Sequence, residues 1–421
     1  MIKVLGSAWA LLLGMMLLQV GNGMQGTLLG IRGEIEGFST FEMSLVMSGY
    51  FVGFLFGSRM APEMIRRVGH VRVFAALASM ISAVMILYPV LTDPFAWGAG
   101  RILVGFCFSG VYVTAESWLN NAADNQNRGK ALSLYMIVQM AGIVSAQALI
   151  LVADPGGFIL FIVPSVLISL AFAPILLSIS PTPAFGTAKP LSLRKILRIS
   201  PLGCVGMFLL GGVFSAQFGM APVFGAEAGL SVAQISAFVA TFFVGSLVLQ
   251  YPIGWLSDRM DRRRLILGAT VICGLGALLG LLFSGMFAML LVAGVIIGGM
   301  SNPLYSLLIA HTNDFLDHDD MAAAAGGMVF INGVGAVAGP VITGWIMGLI
   351  GPRGFFLYIV LLMVALAGYA LWRMTRRPAP AVEETESYTT VMPSASPMAV
   401  TFAQEFDIEA AQDDDDTASV T

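Results

Sequence analysis

The chain is dominated by long apolar runs, each broken by a short polar or turn-forming patch. A bilayer core of about 30 Å takes roughly 20 helical residues to cross. Windows of that length recur twelve times, near residues 4–29, 41–61, 71–92, 95–120, 130–153, 157–180, 201–226, 233–257, 264–284, 286–311, 322–350 and 354–374. Several boundaries carry their own signals. Asp154-Pro155-Gly156-Gly157 is a turn, Pro181-Thr182-Pro183 stops a helix, and Asp93-Pro94 separates the third run from the fourth. The runs are continuous rather than alternating, which excludes a transmembrane β-barrel. The first run starts like a signal peptide at Met1-Ile2-Lys3 but continues past Val20 with no A-x-A cleavage site, so it reads as a retained helix. The pattern predicts an all-α integral membrane protein with twelve transmembrane helices.

Composition removes the soluble alternative. Of 421 residues, 57% are hydrophobic and 11% charged, against about a quarter charged in a typical soluble domain. Cys107, Cys204 and Cys273 lie far apart inside apolar stretches, so they read as buried small hydrophobes rather than a disulfide framework or metal site. The net charge of −4 hides an asymmetry. Residues 1–377 hold all 21 Lys and Arg and 15 of the 25 acids, a balance of +6, whereas Pro378–Thr421 holds ten acids and no base. That tail, with its Pro/Ala/Thr/Ser stretch and Asp413–Asp416, reads as a disordered, solvated appendage at residues 378–421.

The bases also orient the bundle. With the N-terminus inside, Lys3, Arg59, Arg66, Arg67, Arg72, Arg128, Lys130, Lys189, Arg194, Lys195, Arg198, Arg259, Arg262, Arg263, Arg264, Arg373, Arg376 and Arg377 all fall on the cytoplasmic side, leaving Arg32 and Arg353 outside. Both termini are therefore expected in the cytoplasm of a bacterial inner-membrane protein. The connection bearing Asp314, Asp317, Asp319 and Asp320 is acidic and on the inner side, but acids count little in this rule.

The two halves of the sequence repeat. A shift of 192 residues superposes Gln25 on Gln217, Gly53 on Gly245 and Arg67 on Arg259, and a shift of 193 superposes Gly105 on Gly298, Tyr112 on Tyr305 and Asn120 on Asn313. This divides the chain into a first six-helix half at 1–180, a linker at 181–200 and a second half at 201–377, an arrangement expected of a secondary transporter built from parallel repeats. Within the linker, Leu191–Ser200 mixes Arg194, Lys195 and Arg198 with apolar residues and predicts a short amphipathic helix on the inner leaflet.

Between the eighth and ninth runs stands Gly254-Trp255-Leu256-Ser257-Asp258-Arg259-Met260-Asp261-Arg262-Arg263. It closely resembles the G-x-L-x-D-R-x-G-R-R signature of the major facilitator superfamily, with Asp261 in place of the second glycine. The plain alternative is a positive-inside anchor. The matching turn of the first half, Pro62 to Arg72, keeps the register but places Arg66 where the family has Asp. Arg101-Ile102-Leu103-Val104-Gly105 resembles the family's R-x-x-x-G element, and Gly335-Ala336-Val337-Ala338-Gly339-Pro340 is expected to thin and break the eleventh helix. The Gly/Pro signature of drug/proton antiporters is absent from the fifth helix, where Ala141 to Gln147 stand. Glu116-Ser117-Trp118-Leu119-Asn120, Asn127-Arg128-Gly129-Lys130 and Tyr135-Met136-Ile137-Val138 resemble the YcaD-like branch. The resemblance implies that the first, fourth, seventh and tenth helices line a central cavity.

Ionisable groups at membrane depth are expensive and hence candidates for function. Arg101 lies about six residues, roughly 9 Å, inside its helix, where it either meets an anionic group or braces helices through backbone carbonyls. Glu116, fifteen residues later and roughly 22 Å along the same helix, is expected near Arg66, Arg67 or Arg128, as a salt-bridge gate or as a proton carrier. Gly254, Asp258, Arg259 and Arg262 complete the expected gate. Gln19, Asn22, Gln25, Tyr112, Gln217, Asn302 and Tyr305 are the expected cavity residues, with interhelical packing as the competing role. Tyr135, Gln139, Gln147 and Asn332 rank behind them. His311 reads as interfacial, and His70 and His318 read as loop residues. The expectation is a monomeric secondary transporter for a small organic solute, in contact with lipid, with proton coupling open. No enzyme activity, cofactor, metal or nucleic-acid partner is expected. Efflux of amphiphilic compounds and a non-transporting membrane receptor or scaffold are the alternatives.

Overall fold

The computed structural model describes residues 2–122, 128–177, 191–376, 388–393, 396 and 398–400, and those residues are helical almost throughout. In chain order the helices are α1 (Ile2–Ile35), α2 (Thr40–Val68), α3 (His70–Leu87), α4 (Pro94–Ala122), α5 (Arg128–Leu149), α6 (Ile159–Ala171) and α7 (Ala173–Leu177). There follow α8 (Leu193–Ile199), α9 (Pro201–Ser215), α10 (Ala221–Glu227), α11 (Val232–Ser257), α12 (Arg262–Leu282), α13 (Phe287–Asn313), α14 (His318–Ile350) and α15 (Gly354–Met374). A π-helical segment, Ala216–Met220, joins α9 to α10 into one continuous span. Among the described residues, eleven helical segments are long and apolar enough to cross a membrane. The expected twelfth, α1, is long enough at 34 residues and carries an apolar run from Val4 to Val20, part of which lies outside the residues whose side chains are described.

Contacts made among α1–α6 are repeated among α9–α15. The pairs α2/α4, α3/α4, α3/α6 and α1/α5 correspond to α11/α13, α12/α13, α12/α15 and α9/α14. Local chemistry repeats as well. Ser39 and Ser231, 192 residues apart, start α2 and α11 with capping boxes completed by Glu42 and Gln234, each satisfying two otherwise orphaned backbone donors. At the tightest crossings glycine is required by space. A Cβ on Gly53 would lie 2.7 Å from Ile102 C of α4, and one on Gly245 would lie 2.9 Å from Val295 C of α13. A Cβ on Gly105 would lie 2.7 Å from Tyr50 C, and one on Gly298 2.6 Å from Phe242 C. Small residues here let backbones touch, which is how helices associate where lipid offers no hydrophobic drive.

The halves meet along α2 and α14, through α1 against α10, and through α5 against α11. Most bases gather at one end of the bundle, here the basic end. At the other end Gly30 packs on Pro222, and the Thr40 hydroxyl donates to the Glu227 carboxylate. Ser48 Oγ donates to Val337 O at 2.7 Å in mid-bundle, and nearer the basic end Arg59 lies 4.3 Å over the Phe330 ring. The acidic connection after α13 faces bases: Asp314 pairs with the buried Arg262, and Asp320 lies 2.6 Å from Lys195 of α8. α14 runs unbroken through Pro340, so the glycines around it thin the helix without interrupting it. His70 is the buried first residue of α3 rather than a loop residue, with its Nε2 2.8 Å from Ser117 Oγ; His318 likewise opens α14.

Candidate functional site

A cavity of about 150 Å³ lies between the halves, lined by Asn22 and Thr27 of α1, Tyr50 and Phe54 of α2, Arg101 and Tyr112 of α4, and Gln147 of α5. The second half contributes Phe214, Phe218, Phe243, Asn302 and Asn332. By the space one water needs, this holds roughly ten waters. Its walls are largely apolar with a few convergent polar groups, the usual make-up of a small-molecule site.

The polar groups are connected. Asn22 Nδ2 donates to the Tyr112 hydroxyl at 3.2 Å, that hydroxyl donates to Gln19 Oε1 at 2.8 Å, and Gln19 Nε2 donates to Gln139 Oε1 at 2.9 Å. Beside this chain, Gln25 Nε2 donates to the Tyr88 hydroxyl at 3.0 Å, which turns Gln25 Oε1 toward Arg101 Nη1 at 2.9 Å. The Arg101 guanidinium also stands 4.7 Å over the Tyr50 ring, a cation–π contact. Arg101 is 3% exposed, and its Nε has no hydrogen-bond partner. Among the described residues it braces no backbone carbonyl; it meets Gln25, which stands behind the wall, and the Tyr50 ring, which is part of it.

The expected cavity residues thus divide. Asn22, Tyr112, Asn302 and Arg101 line the cavity, while Gln19 and Gln25 stand behind it and hold Tyr112 and Arg101. Gln217 lies in the π segment and donates to Ser301 Oγ at 3.0 Å. The widened turn and its buried amide interrupt regular helix at mid-span, a feature common at functional sites. Tyr305 is fully buried against Phe214, its hydroxyl unpartnered. The aromatic wall of Tyr50, Phe54, Phe218 and Phe243 was not singled out from sequence, because aromatics in a membrane helix read equally well as lipid-facing.

At the basic end the arrangement departs from expectation. Arg66 and Arg67 are exposed and pair with Glu63 of their own helix, within 2.6 Å. The Arg128 side chain lies outside the described residues. Glu116 is 1% exposed and instead accepts from the Tyr135 hydroxyl at 3.3 Å, from Ser396 N–H at 3.0 Å and from the Ser396 hydroxyl. Ser396 belongs to the stretch expected to be solvated. The described part of that stretch is packed into the body, with Val391 and Met392 each 6% exposed, while Asp413–Asp416 lie outside the described residues. The physical reason is local composition: residues 387–404 carry no charge and include apolar side chains that gain from burial.

The signature turn receives this stretch. Tyr388 N–H donates to Asp258 Oδ1 at 2.9 Å, and Gln250 Nε2 donates to its hydroxyl at 2.8 Å. A Cβ on Gly254 would lie 2.7 Å from the Tyr388 ring, so the glycine makes its seat. Burial pushes the Tyr388 phenol above its ordinary range. Arg262 lies 3.7 Å from Asp258 and donates to Ser257 Oγ at 3.1 Å, and Arg259 stacks 4.3 Å over Trp255. Asp261 caps α12, accepting from Arg263 N–H at 2.9 Å. Partial burial would raise its carboxyl, but the hydrogen bonds and charge of Arg263 outweigh that and hold it below the ordinary range.

The family model of the Major Facilitator Superfamily matches residues 11–231 and 203–403. The chain belongs to that superfamily. Among major facilitators it is 25% identical over 353 residues to a protein described as an uncharacterized MFS-type transporter, YcaD, of Salmonella arizonae, covering 83% of this chain and 91% of the relative. The YcaD of Escherichia fergusonii is also 25% identical, over 80% of this chain and 88% of its own. Among solved folds, a nucleoside transporter, NupG (D323A mutant), aligns with a TM-score of 0.73 at 15% identity, over 86% of this chain and 98% of that one. A bacterial homologue of the human lysosomal transporter Spinster, in an inward-facing and unoccupied conformation, aligns with a TM-score of 0.68 at 13% identity, over 96% and 98%. These likenesses fix the major facilitator fold.

Proposed function

We propose that this major facilitator is a secondary transporter that carries a small organic solute across the bacterial inner membrane by alternating access, acting as a monomer and without enzymatic chemistry. The observation that carries the reading is the central cavity, walled by both halves, with the halves in contact at the end opposite the bases through Gly30 on Pro222 and Thr40 on Glu227. Rocking of one half on the other about α2/α14 would expose it to each side in turn. By the positive-inside rule the basic end, with both termini, faces the cytoplasm. Of the acids in the described spans, Glu116 is the one fully buried, which makes it the candidate for proton coupling if the cycle is coupled. The aromatic wall and Met140 suit amphiphilic solutes, so export of such compounds is the second reading.

The test is solute exchange by purified protein in liposomes, loaded with a metabolite mixture and read by mass spectrometry at two external pH values. The expected result is faster exchange of a small set of solutes than in protein-free liposomes. Indistinguishable release of every solute, by protein that remains folded, would refute the proposal. A rate that depends on the proton gradient and loses that dependence in Glu116→Gln would establish coupling; a gradient-independent rate would remove it.

A further inference from the structure

We propose that the cavity recognises a small organic monoanion, a carboxylate on an aromatic or branched apolar body, with the carboxylate seated on Arg101. This rests on the transporter reading and names the solute class. The argument begins with charge. A guanidinium removed from water costs several kcal/mol unless it is paired, and Arg101 is 3% exposed. Among the described residues it forms no ion pair, and of its N–H groups only one finds a protein acceptor, Gln25 Oε1 at 2.9 Å. Gln25 is itself fixed by Tyr88, and Tyr88 by the Trp97 edge against it at 5.9 Å, so the guanidinium is held in place rather than satisfied. It lies at the cavity wall. A built, oriented and uncompensated cation facing a cavity is a site for an anion. One charge calls for a monoanion, and a rigid guanidinium suits a planar carboxylate. The surrounding Tyr50, Phe54, Phe218 and Phe243 suit an apolar body and disfavour a strongly hydrated dianion.

The test uses purified wild type, Arg101→Gln and Arg101→Met, with phenylacetate, isovalerate, phenylacetamide, phenethylamine and inorganic phosphate as probes. Phenylacetate or isovalerate should raise the thermal midpoint of wild type, as any native-state ligand does, and Arg101→Gln should weaken that binding by about tenfold or more. The amide, the amine and phosphate should have no effect. Without ligand, Arg101→Met should melt above wild type, because it removes an unpaired charge; a brace would melt lower. Binding of neither acid, equal binding of phenylacetamide, unchanged affinity in Arg101→Gln or a lower midpoint in Arg101→Met each overturns the assignment. Phenylacetate counterflow in liposomes separates the two readings. An acid that binds but does not exchange sinks transport and leaves the anion site standing, whereas exchange confined to neutral solutes does the reverse.

A second, independent observation concerns the described residues 388–393, 396 and 398–400. They bind both halves at once: Glu116 of α4 through Ser396, Ser306 of α13 through Val391 N–H at 3.0 Å, and Asp258 and Gln250 through Tyr388. Met392 and Pro393 stand in the cavity wall. We infer that this segment is an autoinhibitory stopper of the basic end. While seated it blocks solute and prevents the ends of α4 and α13 from closing on each other. A cysteine at Ser58, which lines the cavity, reports access. A membrane-impermeant maleimide should label Ser58→Cys at least about tenfold faster when the chain ends at Arg377, as expected when a blocking contact is removed. Ser396→Asp, which sets a second carboxylate against Glu116, should do the same in the full-length chain. Equal or slower labelling in both, with gel-filtration profiles unchanged, would overturn the stopper.

Discussion

The glycine crossings give the most quantitative test of how the bundle is held. A methyl group at Gly105 would stand 2.7 Å from Tyr50 C and nearer still to its carbonyl oxygen, where ordinary contact begins at 3.4 Å. Relieving the carbon contact alone needs about 0.7 Å of separation between α2 and α4, and the oxygen contact requires more. Overpacking of this kind costs about 1–3 kcal/mol. The gain in helix propensity from Gly to Ala offsets about 1 kcal/mol of that. Gly98 lies on the same α4 with nothing within 4 Å of an added Cβ, so Gly98→Ala isolates the propensity gain. The pair Gly298→Ala and Gly268→Ala repeats the comparison in the second half, where Gly298 abuts Phe242 and Gly268 has open space. Thermal unfolding in detergent, read as the loss of monodisperse protein on gel filtration, should place Gly105→Ala and Gly298→Ala below wild type or level with it, and Gly98→Ala and Gly268→Ala at or above it. The difference within each half should be about 1–3 kcal/mol. If the crowded and open variants melt together, backbone contact is not what holds α2 to α4 and α11 to α13.

Three further outcomes follow from the basic end, a helix cap and the cavity. Asp314→Asn leaves Arg262 without its buried partner and should cost about 3–5 kcal/mol, whereas Arg262→Met/Asp314→Leu should recover most of the stability; matched melting points for the single and double variants would contradict this. Asp261→Ala should lose about 1 kcal/mol with the N-cap, and Asp261→Asn should keep it. Because the Asp261 carboxyl is held low, the ionic part of that contribution is present at neutral pH and lost only as the pH falls below the ordinary Asp range, so a difference that grows on acidification counts against it. Gln25→Leu should lower acid binding without altering the chain's yield or monodispersity, since it frees Arg101 from its one acceptor among the described residues; unchanged binding would remove Gln25 as a positioning residue.

The fold was legible because the bilayer forces it. A crossing helix must be about 20 residues of apolar side chains, and that signal survives in eleven of the described helical segments. Asn22, Arg101, Tyr112 and Asn302 could be singled out because polarity inside an apolar run needs a reason. Tyr50 and Phe218 could not, since an aromatic ring is at home in lipid and in a binding wall alike. Glu116 meets other partners than expected: Arg66 and Arg67 have Glu63 within one turn, and pairs three or four residues apart are neighbours on one helix face. Packing of residues 388–393, 396 and 398–400 was not foreseen because ten acids dominate the composition of 378–421, while the described residues belong to a charge-free run inside it.

The two proposed devices act on opposite sides of one energetic problem. A solute can drive a change of state only by interacting differently with the two states. With the cavity empty, closing the basic end would shut Arg101 away from water with no counter-charge, which is the costly arrangement for a buried ion. A bound carboxylate removes that cost, so occlusion becomes favourable only in the loaded protein. The proposed stopper adds a term of the opposite sign, because closing the basic end would have to break its contacts with Glu116, Ser306 and Asp258. Removing the stopper should therefore speed entry without loosening the dependence on Arg101, and removing the charge should allow the empty protein to close while the stopper still slows it. Combining the truncation after Arg377 with Arg101→Met should give a cavity that closes empty, and Ser58→Cys labelling in that double variant should fall below that of the truncation alone. Labelling as fast as in the truncation alone would mean that the unpaired charge is not what holds the empty cavity open.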